Sequence, residues 1–218
     1  MKLSLLLTNG DDAPLFLETL RKADAQGLEA VWLAEGGGLF PNPAVAASAA
    51  AVATRRIAIR AGGLSLPLHN PIRVAEEWAL VDNLSRGRVG IAFPFYDSGV
   101  ETVCRLWRGE AERVPDGEGR SIDVRILPQP IQGELPVWLA DAPAAATLGA
   151  NLFLPGPKGL EEAVVAYRAA GGLGSISMAT SEIGLWDVDR LDALGVGEVA
   201  FRVDLADARD VLEMLHGR

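Results

Sequence analysis

The chain has 218 residues, 49% of them apolar and 22% charged, a globular balance within the size of one domain with a sizeable core. Its net charge of −9, with Lys and Arg scattered among the acids, excludes the basic stripe that a nucleic-acid backbone requires. No apolar run reaches membrane-spanning length, and a single cysteine, Cys104, excludes an internal disulfide.

The N-terminal Met1-Lys-Leu-Ser-Leu-Leu-Leu combines one charge with a brief apolar run, which reads as a first strand and not as a signal peptide. A cytoplasmic protein is the expectation. From there short apolar runs alternate with helical patterns, the mark of parallel β/α architecture. Strands are predicted at Leu3–Thr8, Ala30–Ala34, Ile57–Gly62, Val89–Phe93, Pro136–Ala140, Asn151–Leu154, Ser175–Ala179 and Glu198–Val203. Helices are predicted at Pro14–Gln26, Pro43–Ala53, Pro71–Leu84, Val100–Arg108, Leu160–Ala170, Trp186–Leu194 and Ala206–Leu215, several with proline in the first turn, where its missing N–H is not needed.

Glu112–Gln132, with the turn residues Pro115-Asp-Gly-Glu-Gly119, reads as a surface hairpin, and Asp141–Ala150 leaves room for about one helical turn. Eight strands close a barrel, and a barrel usually needs about 250 residues. The expected fold class is therefore α/β, a compact (β/α)8 TIM-type barrel with trimmed loops, spanning residues 1–218 as a single domain. An open α/β sheet is the rival if Asn151–Leu154 and Ser175–Ala179 are loops.

Several segments carry a family pattern in order. They are Phe16-Leu-Glu-Thr-Leu-Arg-Lys-Ala-Asp-Ala-Gln-Gly-Leu-Glu-Ala-Val-Trp-Leu-Ala-Glu35, Phe40-Pro-Asn-Pro-Ala44, Thr54-Arg-Arg-Ile-Ala-Ile-Arg-Ala-Gly62, the stretch from Leu66 to Val89, Glu101-Thr-Val-Cys-Arg-Leu-Trp-Arg-Gly-Glu110, Glu134-Leu-Pro-Val-Trp-Leu-Ala140 and Arg190-Leu-Asp-Ala-Leu-Gly-Val-Gly-Glu-Val-Ala200. Together they resemble the bacterial luciferase-like monooxygenases, in particular the branch of natural-product assembly lines. The resemblance implies a (β/α)8 barrel, FMN supplied by a partner reductase, and a homodimer.

Departures fall where strands end, the face that carries the active site in such barrels. The family's histidine after the second strand is replaced by Glu35-Gly36-Gly37-Gly38. Its glycine-rich turn after the fourth is replaced by Phe93-Pro-Phe-Tyr-Asp-Ser-Gly99, and its phosphate-holding turn after the fifth by Asp141-Ala-Pro-Ala144. A carboxylate at that last place opposes a phosphate dianion. Gly156-Pro157-Lys158-Gly159 offers another cradle or is only a loop before a helix.

No cofactor is therefore the first expectation, with FMN as the alternative. The activity expected is acid/base chemistry, such as cyclisation, isomerisation or dehydration, on a largely apolar small molecule of secondary metabolism. The rivals are an FMN-dependent monooxygenase with a rebuilt flavin site, fed by a flavin reductase, and a non-catalytic protein that binds a ligand or flavin derivative.

Four residues are candidates for catalysis. Glu35 and Asp141 are strand-end carboxylates, His69 follows the third strand, and Tyr96 adds a phenolic donor. Each has a plain structural counterpart: a salt bridge from Glu35 to Arg60 or another barrel-mouth cation, an N-cap by Asp141, capping or packing of His69 at a helix start, and an aromatic plug around Tyr96. Asn9, Leu66, Phe93, Phe95 and Asp97 are expected to line the substrate pocket. No His/Cys/Asp cluster has metal-ligand spacing, so no metal is expected.

Overall fold

The computed structural model describes residues 1–36, 42–182 and 188–216. Eight parallel strands close on themselves in the order β1 (Lys2–Leu7), β10 (Glu198–Val203), β9 (Ile176–Thr180), β8 (Asn151–Leu154), β7 (Val137–Leu139), β4 (Val89–Phe93), β3 (Ala58–Gly62) and β2 (Ala30–Ala34). Lys2 opposite Glu198 through Leu7 opposite Val203 makes the closing seam. The fold is a TIM-type (β/α)8 barrel. Around it run α1 (Ala13–Gln26), α2 (Pro43–Ala53), α3 (Pro71–Ser85), α4 (Ser98–Trp107), α5 (Ala142–Thr147), α6 (Leu160–Ala169), α7 (Val188–Ala193) and α8 (Ala208–His216). Among the described residues no helix is long and apolar enough to cross a membrane.

The local chemistry that starts these helices is repetitive. Asp12, Asn42, Asn70, Asp97 and Asp141 each turn a side-chain oxygen onto a first-turn amide, and proline follows in the first turn of four of the five helices so capped. Such a cap satisfies an amide that has no partner within the helix. The far ends of the units are pinned as firmly. Asp24 accepts the amides of Arg55, Arg56 and Ile57 at 3.0, 2.8 and 2.7 Å, and the Arg88 guanidinium binds carbonyls of Ala51, Thr54, Ile57 and Ser85.

Alternation along the strands decides what fills the barrel. Ser4, Trp32, Arg60, Trp138, Ser177 and Glu198 point inward and form one polar layer. Arg60 Nη1 donates to Glu198 Oε2 at 2.5 Å, and its guanidinium lies 4.8 Å from the Trp32 ring and 4.5 Å from the Trp138 ring. Ser4, Trp32 and Ser177 donate to the same carboxylate. Arg60 also approaches Glu29 at 3.5 Å, whereas Glu35 meets His69 and not Arg60.

Other expectations shift at the edges. The hairpin is there, as antiparallel β5 (Glu112–Pro115) and β6 (Ser121–Val124), and Asp82 ties the chain beyond it to α3 by accepting the amides of Ile131 and Gln132. The helix α4 starts at Ser98 and not Val100, because Asp97 caps it and draws Ser98 and Gly99 into its first turn. A 3-10 turn over Leu205–Asp207 delays α8 to Ala208. Residues 37–41 and 183–187, including Trp186 and the glycines after Gly36, lie outside the described residues.

Candidate active site

Beyond the polar layer, toward the C-terminal ends of the strands, inward residues become small. Ala34, Gly62, Ala92 and Ala140 surround Leu6 and Phe153, and together with Phe93, Pro155 and Arg202 they line a cavity of about 180 Å³. A Cβ added to Gly62 would lie 2.7 Å from Leu6 Cδ1 and 3.6 Å from the Ala34 backbone, so the floor is open because position 62 has no side chain. Arg202 is the one charged residue of this lining among the described residues, and its Nη2 donates to the Pro155 carbonyl at 2.8 Å.

At the rim the β2 and β3 loops bring two of the expected residues together. His69 Nε2 hydrogen-bonds Glu35 Oε1, and Glu35 Oε2 accepts the Ser65 amide at 2.8 Å. The histidine is delivered by the 3-10 turn at Leu66–Leu68, which closes with the His69 amide donating to the Leu66 carbonyl. Side-chain exposures of 11% for Glu35 and 25% for His69 describe a pair sheltered on the carboxylate side and open to solvent on the imidazole side.

The other two stand apart. Tyr96 donates its hydroxyl to Glu101 and lines a groove with Cys104, Leu135 and Asn151 between α4 and the starts of β7 and β8, away from the mouth cavity. That hydrogen bond, followed by burial and the Glu101 charge, pushes the Tyr96 phenol up to about 12, so it stays protonated. Cys104 in the same groove is held as a neutral thiol by burial. Asp141 accepts the Ala144 amide at 2.8 Å and is occupied as the cap of α5.

Among the expected substrate contacts, Phe93 lines the cavity and Phe95 stands exposed. Leu66 is buried in the core cluster. Asp97 caps α4, and Asn9 borders a shallow groove with Asp11, Asp12 and Asp204. Sequence reading missed Arg202 and the small-residue floor. The signal was available: Glu198, Ala200 and Arg202 share one face of the last strand by its two-residue period.

Residues 4–93, the first four strands of this barrel, match the family model described as luciferase-like monooxygenase. Over that stretch the chain is similar to the luciferase-like monooxygenases. It is 40% identical over 77 residues to limonene 1,2-monooxygenase of Rhodococcus erythropolis, covering 34% of this chain and 20% of that protein. It is 27% identical over 152 residues to the oxygenase component of a flavin-dependent trigonelline monooxygenase of Acinetobacter baylyi, covering 57% and 42%. The chain thus spans less than half the length of either relative.

Two solved structures share the barrel of this luciferase-like chain. Monooxygenase RslO1 from Streptomyces bottropensis superposes with a TM-score of 0.78 at 21% identity, covering 100% of this chain and 98% of that one. The oxygenating constituent of 3,6-diketocamphane monooxygenase from Pseudomonas putida, in complex with FMN, gives 0.74 at 12%, covering 99% and 96%.

These matches overturn the expectation of no cofactor. A family whose relatives include an enzyme named flavin-dependent and a structure with FMN bound does not support a flavin-free barrel. The mouth of this luciferase-like barrel fits the flat part of such a group. Its floor is apolar, lacks a side chain at Gly62, and is followed by Gly63, whose φ of 96° leaves open space where a Cβ would stand. At about 180 Å³ it is smaller than the roughly 300–1,000 Å³ of most ligand pockets, which matches a ring system and not a whole nucleotide. The start of α5 does not suit a phosphate, since the Asp141 carboxylate already occupies its amide and repels a dianion.

Proposed function

We propose that this chain is the oxygenase part of a flavin-dependent monooxygenase that accepts reduced FMN from a separate reductase and acts on a largely apolar small molecule. The observation that carries the reading is the Cβ-poor apolar floor at the C-terminal face of a luciferase-like barrel. Reduced flavin, if bound there, would supply the two electrons with which one atom of dioxygen enters the substrate and the other leaves as water. Leu6, Ala34, Gly62, Ala92 and Ala140 would hold the ring by contact and exclude water from its face. Phe93 and Phe153 would form apolar walls, which favour a largely apolar substrate body.

In this reading the rim pair handles a proton. Glu35, fixed by the Ser65 amide, holds the His69 ring at Nε2, so a proton can be stored on or released from the imidazole beside the mouth. Residues 1–218 are proposed to form one domain. The exposed Val45 and Val52 on α2 and Leu80 and Leu84 on α3, neighbouring helices, favour a homodimer through that face, which a charged substitution at Val52 would dissociate in size-exclusion chromatography.

The reading is tested by anaerobic titration with reduced FMN, followed by turnover of small apolar ketones and alkenes under air with an added flavin reductase. Saturable binding and oxygen insertion are expected. Failure to bind either redox form of FMN at millimolar concentration overturns the proposal, and binding without turnover of any substrate would make the chain a flavin carrier.

A further inference from the structure

The mouth contains one cation whose charge has no partner among the described residues. Arg202 lies on the inward face of β10, two positions beyond Ala200 and four beyond Glu198. Glu198 is committed to Arg60 in the layer below. The next acid along the chain, Asp204, accepts instead from Thr8 Oγ1 at 2.7 Å. The one hydrogen bond of the Arg202 guanidinium reaches past the top of β9, the strand between, to the Pro155 carbonyl beyond β8. A guanidinium carries five N–H donors and stays protonated at any physiological pH, so most of its donors remain for a ligand. The other residues beside it in the lining, Leu6, Ala140 and Phe153, are apolar and offer a ligand no competing charge.

A cation set over a flat apolar floor suits a planar ring that carries delocalised negative charge at its edge. Reduced flavin is such a ring near neutral pH, with an anionic N1–C2=O edge, whereas the oxidised ring is neutral. We propose that Arg202 is the residue by which this barrel distinguishes reduced from oxidised flavin, donating to the anionic edge of the ring. The inference rests on the flavin reading above and deepens it. A chain that receives flavin from a reductase has to retain the reduced form and release the oxidised one, and a single guanidinium at the ring edge provides that difference.

The test compares wild type with Arg202→Gln and Arg202→Lys. Each is titrated with oxidised FMN in air and with reduced FMN without oxygen, and the midpoint potential of bound FMN is measured. Thermal melting serves as the fold control, which the exposed side chain should leave unchanged. Arg202→Gln should weaken reduced FMN at least tenfold while oxidised FMN stays within twofold. The potential should then fall by about 30 mV for each tenfold, as a two-electron couple requires. Arg202→Lys, which keeps the charge, should restore most of the difference. An unchanged ratio, or equal weakening of both forms as a phosphate contact would give, overturns the inference and leaves the flavin reading standing. Wild type that binds neither form removes both.

Discussion

Glu35 and His69 come from successive β/α units and meet at the rim of the barrel, with the carboxylate fixed from its other side by the Ser65 amide. That three-point arrangement orients an imidazole without burying it. Under the proposed function, His69→Asn should lower kcat by roughly 10²–10⁴-fold, the usual contribution of a positioned acid or base, with FMN affinity within twofold of wild type. Glu35→Gln keeps the Ser65 contact and should lower kcat less, with KM unchanged. Parallel loss of FMN binding in both variants would reassign the pair to holding the rim together.

The buried ion pair makes a stability prediction. Burial alone would push the Glu198 carboxyl up, but the Arg60 charge and hydrogen bonds from Ser4, Trp32 and Ser177 outweigh it and hold it below the ordinary value of 4.5. Since the folded value is the lower one, the stabilisation is complete above about pH 4.5 and is lost as pH falls through the folded value. Urea unfolding at a series of pH values should show this acid limb in wild type, and Glu198→Gln should flatten it. Arg60→Ala, which leaves the carboxylate unpaired, should cost about 3–5 kcal/mol at neutral pH.

Tyr96→Phe separates the side groove from the mouth. Turnover and FMN affinity should be unchanged, and stability should fall by about 1 kcal/mol for the lost bond to Glu101. The raised phenol gives the opposite sign to Glu198: its contribution is present below pH 10 and disappears as pH passes about 12. An ultraviolet titration should show the ionisation near pH 12 assigned to Tyr96 in wild type and its loss in the variant. A hundredfold drop in turnover would return Tyr96 to the active site.

Gly62→Val tests the floor. The added Cβ meets the end of the flexible Leu6 side chain, so the fold should survive with Leu6 displaced into the cavity. FMN binding should weaken at least tenfold, measured by quenching of flavin fluorescence, while circular dichroism stays that of wild type. Unimpaired binding would place the flavin somewhere other than this cavity.

The strands and most helix starts were legible because each unit announces itself locally: an apolar run, a turn, then Asp or Asn and proline before a helical stripe. The Glu35–His69 contact was half legible, since both residues were expected at strand ends while their meeting depends on how two loops fold over β3. Tyr96 was misplaced because Asp97 starts α4 two residues earlier than periodicity suggested, which turns the phenol back onto Glu101. Glu198 and Arg60 lie 138 positions apart, and only barrel closure puts them in one layer. The cofactor expectation failed for a related reason. Lost loop motifs are visible in sequence, whereas a floor made of Ala34, Gly62, Ala92 and Ala140 emerges only when strands far apart in the chain become neighbours.

Arg60, clamped between two indoles and bonded to Glu198, has a kinetic meaning as well as a structural one. It seals the barrel axis on one side, so nothing bound in the cavity can leave through the opposite end. That leaves the rim at the C-terminal ends of the strands as the way into the cavity. Under the proposed function, arrival of flavin, dioxygen and substrate and departure of product would take turns at that rim, and an excess of substrate should slow the exchange of spent flavin by standing in its path.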